Sequence, residues 1–270
     1  MHIIDLQKRG EKMKVVKSVF LLTVMVLLMA LAVDARSACS WYCVRKKDHT
    51  QPTLSKELSF VEEYDVFWCD KNHSNINDSD KVVYLTFDAG YENGNIQKIV
   101  RVLKEQGVKA TFFILDNMIL KNEALVREMI DDGHIVANHT MKHKDMTKMT
   151  CKEAFEKELT DLEDLFKSTY GTEMPKYYRP PEGKLNEENL KWARDLGYKT
   201  VMWSFAYADW DNDKQPSHES AMKKILENVH NGEVMLLHPT SSTNAEIIGE
   251  LIDGLKKQGF RFDTVEGLCT

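Results

Sequence analysis

The chain has 270 residues, 43% of them hydrophobic and 29% charged, with a formal charge of −6; this length suits one large α/β domain or two small ones. The first 38 residues hold six Lys/Arg and three Asp/Glu, so the remainder carries 30 basic against 39 acidic groups, net −9. That balance, with no basic stripe, argues against a nucleic-acid partner, since binding a phosphate backbone is mainly neutralisation by Lys and Arg.

Residues 1–38 read as a targeting segment. Lys8, Arg9, Lys12, Lys14 and Lys17 precede an apolar run from Val19 to Val33, and small residues follow at Ala35, Ser37 and Ala38. This is the layout of a signal peptide, cleaved after Ala35, or of a signal anchor that stays in the membrane. Either makes the protein exported and extracytoplasmic, in the cell wall or anchored to the membrane. Of the five cysteines, Cys39, Cys43, Cys69, Cys151 and Cys269, an odd number leaves at least one unpaired, and no Cys-x-x-Cys pair suggests a thiolate metal site.

Residues 39–80 are polar and mixed and read as a linker and lead-in segment, in which Glu57 to Trp68 can pack on the domain as a short helix or strand. From Lys81 to the end, residues 81–270, apolar strand-like runs alternate with helix-like stretches that stop at glycine. The pattern predicts a strand at 82–87 and a helix over Asn95–Gln106 closed by Gly107, then a strand at Ala110–Leu115 and a helix from about Asn122 to Gly133. A strand at Ile135–Ala137 leads to a long helix opened by Thr150-Cys151-Lys152-Glu153, a capping-box pattern. A strand at Tyr177–Tyr178 precedes a helix after Asn186 that closes at Gly197. A strand over Tyr198–Phe205 precedes a helix after Ser217 that closes at Gly232. A strand at Glu233–Leu237, a helix from about Asn244 to Gln258 and a last strand near Phe260–Phe262 complete the chain. Such alternation implies a parallel sheet with helical crossovers, either an open doubly wound sheet or a closed TIM-like barrel. No GxGxxG or GxxxxGK[ST] follows the first strand, so nothing signals a nucleotide site.

The chemistry-bearing residues stand just after the strands: Asp88 after the first, His139 and His143 after the third, Arg179 after the fourth, Asp209 and Trp210 near the fifth, His238 after the sixth. In parallel α/β folds those ends share one face, so these residues are expected to converge. Two imidazoles four apart suit a divalent metal and lie on one face if the segment is helical. Arg179 can hold a carboxylate through a bidentate pair. His238, opposite a carboxylate and a metal, is a candidate general acid, and Trp203, Tyr207 and Trp210 can line a sugar-sized groove.

Thr86-Phe87-Asp88-Ala89-Gly90, His139-Thr140-x-x-His143, Arg179-Pro180-Pro181-x-Gly183, Asp209-Trp210 and Leu236-x-His238 stand in the order of the five motifs of the polysaccharide deacetylases with NodB homology, carbohydrate esterase family 4. The resemblance covers about residues 81 to 265. The flanking words Tyr91-Glu92-Asn93-Gly94-Asn95 and Trp203-Ser204-Phe205-Ala206-Tyr207-Ala208 look most like the muramic δ-lactam-forming deacetylases of endospore-forming bacteria.

The resemblance implies an irregular (β/α)7 barrel and metal-dependent removal of acetyl from an N-acetylated sugar. By it Asp88 is the general base, His139 and His143 are metal ligands, Arg179 orients Asp88, and the backbone N–H of Glu182 helps stabilise the oxyanion. His238 protonates the leaving amine, Asp209 sets its charge state, and Glu182, Trp210 and Leu236 contact substrate. The usual motif is Thr-Phe-Asp-Asp-Gly, whose second Asp binds the metal; here that position is Ala89. The expected divalent ion, zinc, is then held weakly by two histidines and water, or another oxygen, that of Asp88 itself or of Asn93, substitutes. The expected activity is deacetylation of N-acetylmuramic acid in a peptidoglycan glycan strand of the spore cortex, after an amidase has removed stem peptides. Deacetylation of chitooligosaccharide or of N-acetylglucosamine in peptidoglycan is the alternative within hydrolases. A catalytically inactive glycan-binding module, suggested by Ala89, is the alternative of another class; retention of both Asp88 and His238 argues against it.

Overall fold

In a computed structural model of the chain, residues 38–270 are described; the expected targeting segment lies outside them, apart from its last residue. The strands are β1 (Cys39–Ser40), β2 (Val66–Phe67), β3 (Lys81–Ala89), β4 (Thr111–Ile114), β5 (Ile135–Asn138), β6 (Tyr177–Tyr178), β7 (Lys184–Leu185), β8 (Lys199–Val201), β9 (Phe205–Ala206), β10 (Glu233–Leu237) and β11 (Phe260–Asp263). Nine of them form one parallel sheet in the order β2-β8-β6-β5-β4-β3-β10-β9, with β11 paired to the first half of β3 on the edge that β4 takes further along. The expected strand over Tyr198–Phe205 is in fact two, β9 at one end of that order and β8 next to β2 at the other. Four residue steps separate Val201 from Phe205, a reach of at most about 14 Å, so the sheet must curl until its ends are neighbours. The curl is the irregular (β/α)7 barrel, joined there by chain instead of by a ladder.

The break at Met202-Trp203-Ser204 is set by side chains that reach it from elsewhere in the fold. The carbonyl of Met202 accepts from the Arg179 guanidinium, and that of Trp203 accepts from the Trp41 indole and the Cys43 thiol, so side chains take the place of a ladder partner.

Alternation along β3 sorts the core. Val83, Leu85, Phe87 and Ala89 join the large apolar cluster shared with the surrounding helices, while Val82 and Tyr84 join Phe113, Ala137, Val201 and Val234 in the barrel interior. Thr86 and Asp88 continue that inner face toward the strand ends. Helix α1 (Asn95–Gln106) follows β3 as predicted, burying Ile96, Ile99, Val100 and Leu103 at helical spacing, with Gly107 in the left-handed cap at φ 65°.

Several boundaries differ from expectation. A short helix, α2 (Asp116–Lys121), precedes α3 (Glu123–Asp131). The long helix α4 (Lys152–Tyr170) starts at Cys151, whose side chain makes no cap bond, so the capping box does not form. After α5 (Glu187–Asp195), capped by Asn186, helix α6 (His218–Asn228) stops short of Gly232 because Val229 is extended. Helix α7 (Ser242–Lys257) begins before Asn244, capped by Ser241, and α8 (Val265–Leu268) ends the described chain. Residues 39–80 pack on the domain: β1 pairs antiparallel with β7, β2 extends the sheet, and Trp41 and Trp68 meet edge to face at 5.9 Å between ring centres.

Candidate active site

Seven of the residues singled out in the sequence, Asp88, His139, His143, Glu182, Trp210, Leu236 and His238, line one cleft of about 620 Å³ at the C-terminal ends of the strands. Arg179 and Asp209 stand behind it, both 0% exposed. Trp203 and Tyr207 also line the cleft, as expected of a groove that receives a ring-shaped ligand.

Arg179 is the hub of one side. Its Nη1 donates to Asp88 Oδ1 at 2.8 Å, Nη2 donates to Thr86 Oγ1 at 2.9 Å and to the Met202 carbonyl at 3.2 Å, and Nε donates to the Val201 carbonyl at 2.9 Å. The guanidinium lies 4.2 Å from the Phe113 ring centre. The pairing with Asp88 is therefore a single bond rather than the bidentate clamp expected, because the second nitrogen is taken by a hydroxyl and a backbone carbonyl. Burial opposes ionisation of Asp88, but the positive charge of Arg179, with His139 and His238 nearby, outweighs it and holds the carboxyl below its usual range.

The two histidines are brought together by a turn, not by a helix. Asn138 Oδ1 accepts from the Thr140 N–H at 2.8 Å and Thr140 Oγ1 accepts from the His143 N–H at 3.0 Å, which holds Thr140 and His143 at left-handed φ of 74° and 54°. The rings meet edge to face with centres 5.1 Å apart. His139 Nδ1 is 2.8 Å from the Arg179 carbonyl, which can only accept, so this nitrogen carries the proton and the Nε2 lone pair looks toward Asp88 Oδ2, 3.6 Å away. Burial pushes the His139 pKa down to about 4, against the pull of Asp88, and the ring is neutral at neutral pH.

Across the cleft, His238 Nδ1 donates to Asp209 Oδ1 at 2.7 Å, and the His238 backbone N–H donates to Asp209 Oδ2 at 2.8 Å. Burial disfavours the imidazolium, yet the bond to Asp209 and the charges of Asp209 and Asp88 overcome it, and the His238 pKa lies above the ordinary imidazole value. Trp210, 61% exposed, stands over His238 edge to face at 6.1 Å between ring centres. Leu236 forms part of the cleft floor. Glu182 is the bend of the Pro181–Gly183 turn at φ 57°, and its carboxylate is paired with Lys184 at 2.7 Å.

Sequence reasoning missed Asn244. Its Nδ2 donates to Asp209 Oδ2 at 2.7 Å and to the His238 carbonyl at 3.0 Å, and its Oδ1 accepts from the Tyr207 hydroxyl. A signal was available: Asn244 begins the buried stripe Ile247, Ile248, Leu251, Ile252 and Leu255 of α7, and a polar residue on an apolar face needs a partner.

These donors can be tested against a divalent ion. His139 and His143 present two imidazoles beside Asp88 Oδ2, a set such an ion accepts. Neither of the other two candidate positions adds a ligand: Ala89 is buried in the outer apolar cluster, and Asn93 is committed to the Thr240 carbonyl and the Asn95 N–H. Among the described residues no group of three or more His, Cys, Asp or Glu is arranged to hold a metal. The site thus fits an ion carried by two histidines, with Asp88 the adjacent protein oxygen.

The family model described as polysaccharide deacetylase matches residues 75–201. The peptidoglycan-N-acetylmuramic acid deacetylase PdaA of Bacillus subtilis is 36% identical over 230 residues, covering 85% of each chain. A peptidoglycan-N-acetylglucosamine deacetylase of Bacillus cereus is 31% identical over 195 residues, 70% of this chain and 89% of that one. The solved structure of Bacillus subtilis PdaA, a family 4 carbohydrate esterase, superposes with a TM-score of 0.80 at 35% identity, over 86% of this chain and 97% of that one. With its motifs set on the strand ends of the same curled barrel, the chain belongs to the polysaccharide deacetylase family.

Proposed function

We propose that the protein is a peptidoglycan N-deacetylase acting on N-acetylmuramic acid. The observation that carries this reading is that a carboxylate, Asp88, and an imidazole, His238, line one cleft, each set by its own buried partner, Arg179 and Asp209. Amide hydrolysis needs that pair. Asp88 takes a proton from water as its oxygen attacks the acetyl carbon. His238 then gives a proton from Nε2 to the nitrogen as the C–N bond breaks, leaving acetate and a free amine. The Glu182 turn offers its backbone N–H to the transient oxyanion. His139 and His143 are proposed to hold a divalent metal, zinc, which when bound supplies Lewis-acid polarisation of the carbonyl.

The muramic choice is supported by the PdaA likeness, which spans more of this chain at higher identity than the N-acetylglucosamine deacetylase does. On muramic acid the freed amine can close a δ-lactam with the lactyl carboxylate, and the proposal extends to spore cortex, with an amidase acting first. Export through residues 1–38, as signal peptide or membrane anchor, is part of the proposal; among the described residues no helix is long and apolar enough to cross a membrane.

The test is mass spectrometry of digested glycan strands, with and without stem peptides, after incubation with the full-length protein. Acetyl loss from muramic acid is expected, best on peptide-free strands. Loss from glucosamine alone would establish the second reading, favoured by the Bacillus cereus relative, and no loss from either sugar would sink both.

A further inference from the structure

Asn244 stands at the meeting point of three elements: the strand-end loop that carries Asp209, the end of β10 that carries His238, and the first turn of α7. It is 0% exposed. Its amide orientation follows from its neighbours. Turned over, Oδ1 would face the Asp209 carboxylate and the His238 carbonyl, two acceptors with no proton between them. In the observed orientation Nδ2 satisfies both, at 2.7 and 3.0 Å, and Oδ1 must take the Tyr207 hydroxyl proton.

The backbone of this residue is fixed as well. Ser241 Oγ, the cap of α7, accepts from the Asn244 N–H at 3.0 Å, and Ser241 in turn donates to Gln215 Oε1. Gln215 Nε2 closes the circuit by donating to the Asp209 carbonyl at 2.8 Å. Asp209 Oδ2 thus receives the His238 N–H and the Asn244 amide, and Oδ1 alone is left for the imidazole. This distribution puts the proton on His238 Nδ1 and leaves Nε2 as the nitrogen that faces the cleft.

We propose that Asn244, backed by Tyr207, is a positioning residue for His238, setting the tautomer and orientation of the imidazole through Asp209. The role rests on the deacetylase reading for its catalytic meaning, but not for its geometry. Tyr207, Asp209 and His238 are the titratable groups facing the amide.

The decisive substitution is Asn244→Asp. While protonated, the introduced carboxyl can donate to Asp209 and accept from Tyr207, giving up only the amide's second bond, to the His238 carbonyl; once ionised, it faces Asp209 with a second negative charge and no donor. Acetate release by this variant is expected to approach wild type at acid pH and to fall as pH rises, within a range where wild type is constant. Asn244→Leu, of similar size, is expected to lose about ten- to hundredfold in kcat with KM little changed. Tyr207→Phe is expected to lose less, and nothing further when combined with Asn244→Leu. A pH-independent loss in Asn244→Asp, or full activity in Asn244→Leu, would overturn the role.

A readout without substrate separates this inference from the reading it rests on. At a pH high enough to make the His238 ring neutral, its imidazole ¹⁵N shifts are expected to report the Nδ1–H tautomer in wild type and a mixture of tautomers in Asn244→Leu and in Tyr207→Phe. Unchanged shifts in both variants refute the positioning role. Altered shifts in a protein that deacetylates no glycan refute the functional reading and leave the positioning intact.

Discussion

Arg179 gives Asp88 one hydrogen bond, Nη1 to Oδ1 at 2.8 Å, and leaves Oδ2 free on the side of the His139 Nε2, 3.6 Å away. The two oxygens of Asp88 are thereby set apart: one is anchored to a buried cation and the other looks toward the His139 ring. With Ala89 beside it, Asp88 is the single carboxylate of its motif, and in the proposed mechanism it is both the base and the oxygen nearest the metal.

Asp88→Asn keeps the shape and an acceptor for Arg179 but removes the base. Deacetylation is expected to fall by about 10²–10⁴-fold, and the urea midpoint to fall as well, since Arg179 stays buried without its counter-charge. Activity within threefold of wild type would remove Asp88 from the mechanism.

Arg179→Leu strips Asp88 of its partner and leaves the Val201 and Met202 carbonyls and the Thr86 hydroxyl without their donor. Breaking a buried pair in this way costs about 3–5 kcal/mol, to be read from urea unfolding at pH 7. Asp88→Asn combined with Arg179→Leu is expected to be less than additive, since the uncompensated charge is gone.

The His238 pKa is raised because Asp209 bonds its Nδ1–H, so the acid form persists above the ordinary value of about 6.5 and the alkaline limb of the pH–rate profile should lie above that point. Asp209→Asn removes the charge that favours the imidazolium. The limb is expected to move to lower pH, and kcat to fall at neutral pH. A limb that stays in place would show that another group sets it.

Stability should fall with acid for a reason independent of catalysis. His134 is buried against Phe112, its Nδ1 accepts the Ala110 N–H, and burial lowers its pKa to about 4. A histidine with a depressed folded pKa contributes fully above its unfolded value, near 6.5, and that contribution is lost as pH falls from there toward 4, by about 3 kcal/mol. His134→Asn, which retains an acceptor, is expected to unfold more easily than wild type at pH 7 and to approach it at pH 4.5 in urea titrations. A constant gap would contradict the sign.

If two histidines hold the ion, metal should leave readily. Dialysis against a chelator is expected to strip metal and activity together, with recovery on adding zinc, and His139→Ala and His143→Ala should each retain less metal by elemental analysis. Full retention in both variants would place the ion elsewhere.

Reading strand ends in the chain, Asp88, His139, Arg179 and His238, was enough to place the active face, because in a parallel α/β unit every strand delivers its next residue to the same side. Helix α1 was legible to the residue, since an amphipathic stripe and a glycine cap are local signals. The break between β8 and β9 was not, because its cause is remote: Arg179 and Trp41 reach across the fold to take the carbonyls of Met202 and Trp203. The histidine pair was found by spacing, yet its geometry depends on Asn138 and Thr140 bonding the turn, which a count of four cannot reveal.

The linear chain by itself determined the alternation, the motif order and the missing carboxylate at Ala89, all of which are properties of neighbours along the backbone. Only the tertiary structure decided that Arg179 shares its nitrogens among Asp88, Thr86 and two carbonyls, that Asn93 bonds Thr240 and Asn95, and that Asn244 stands behind Asp209. Each is a competition among donors for a few acceptors, and its outcome depends on which groups folding brings within about 3 Å.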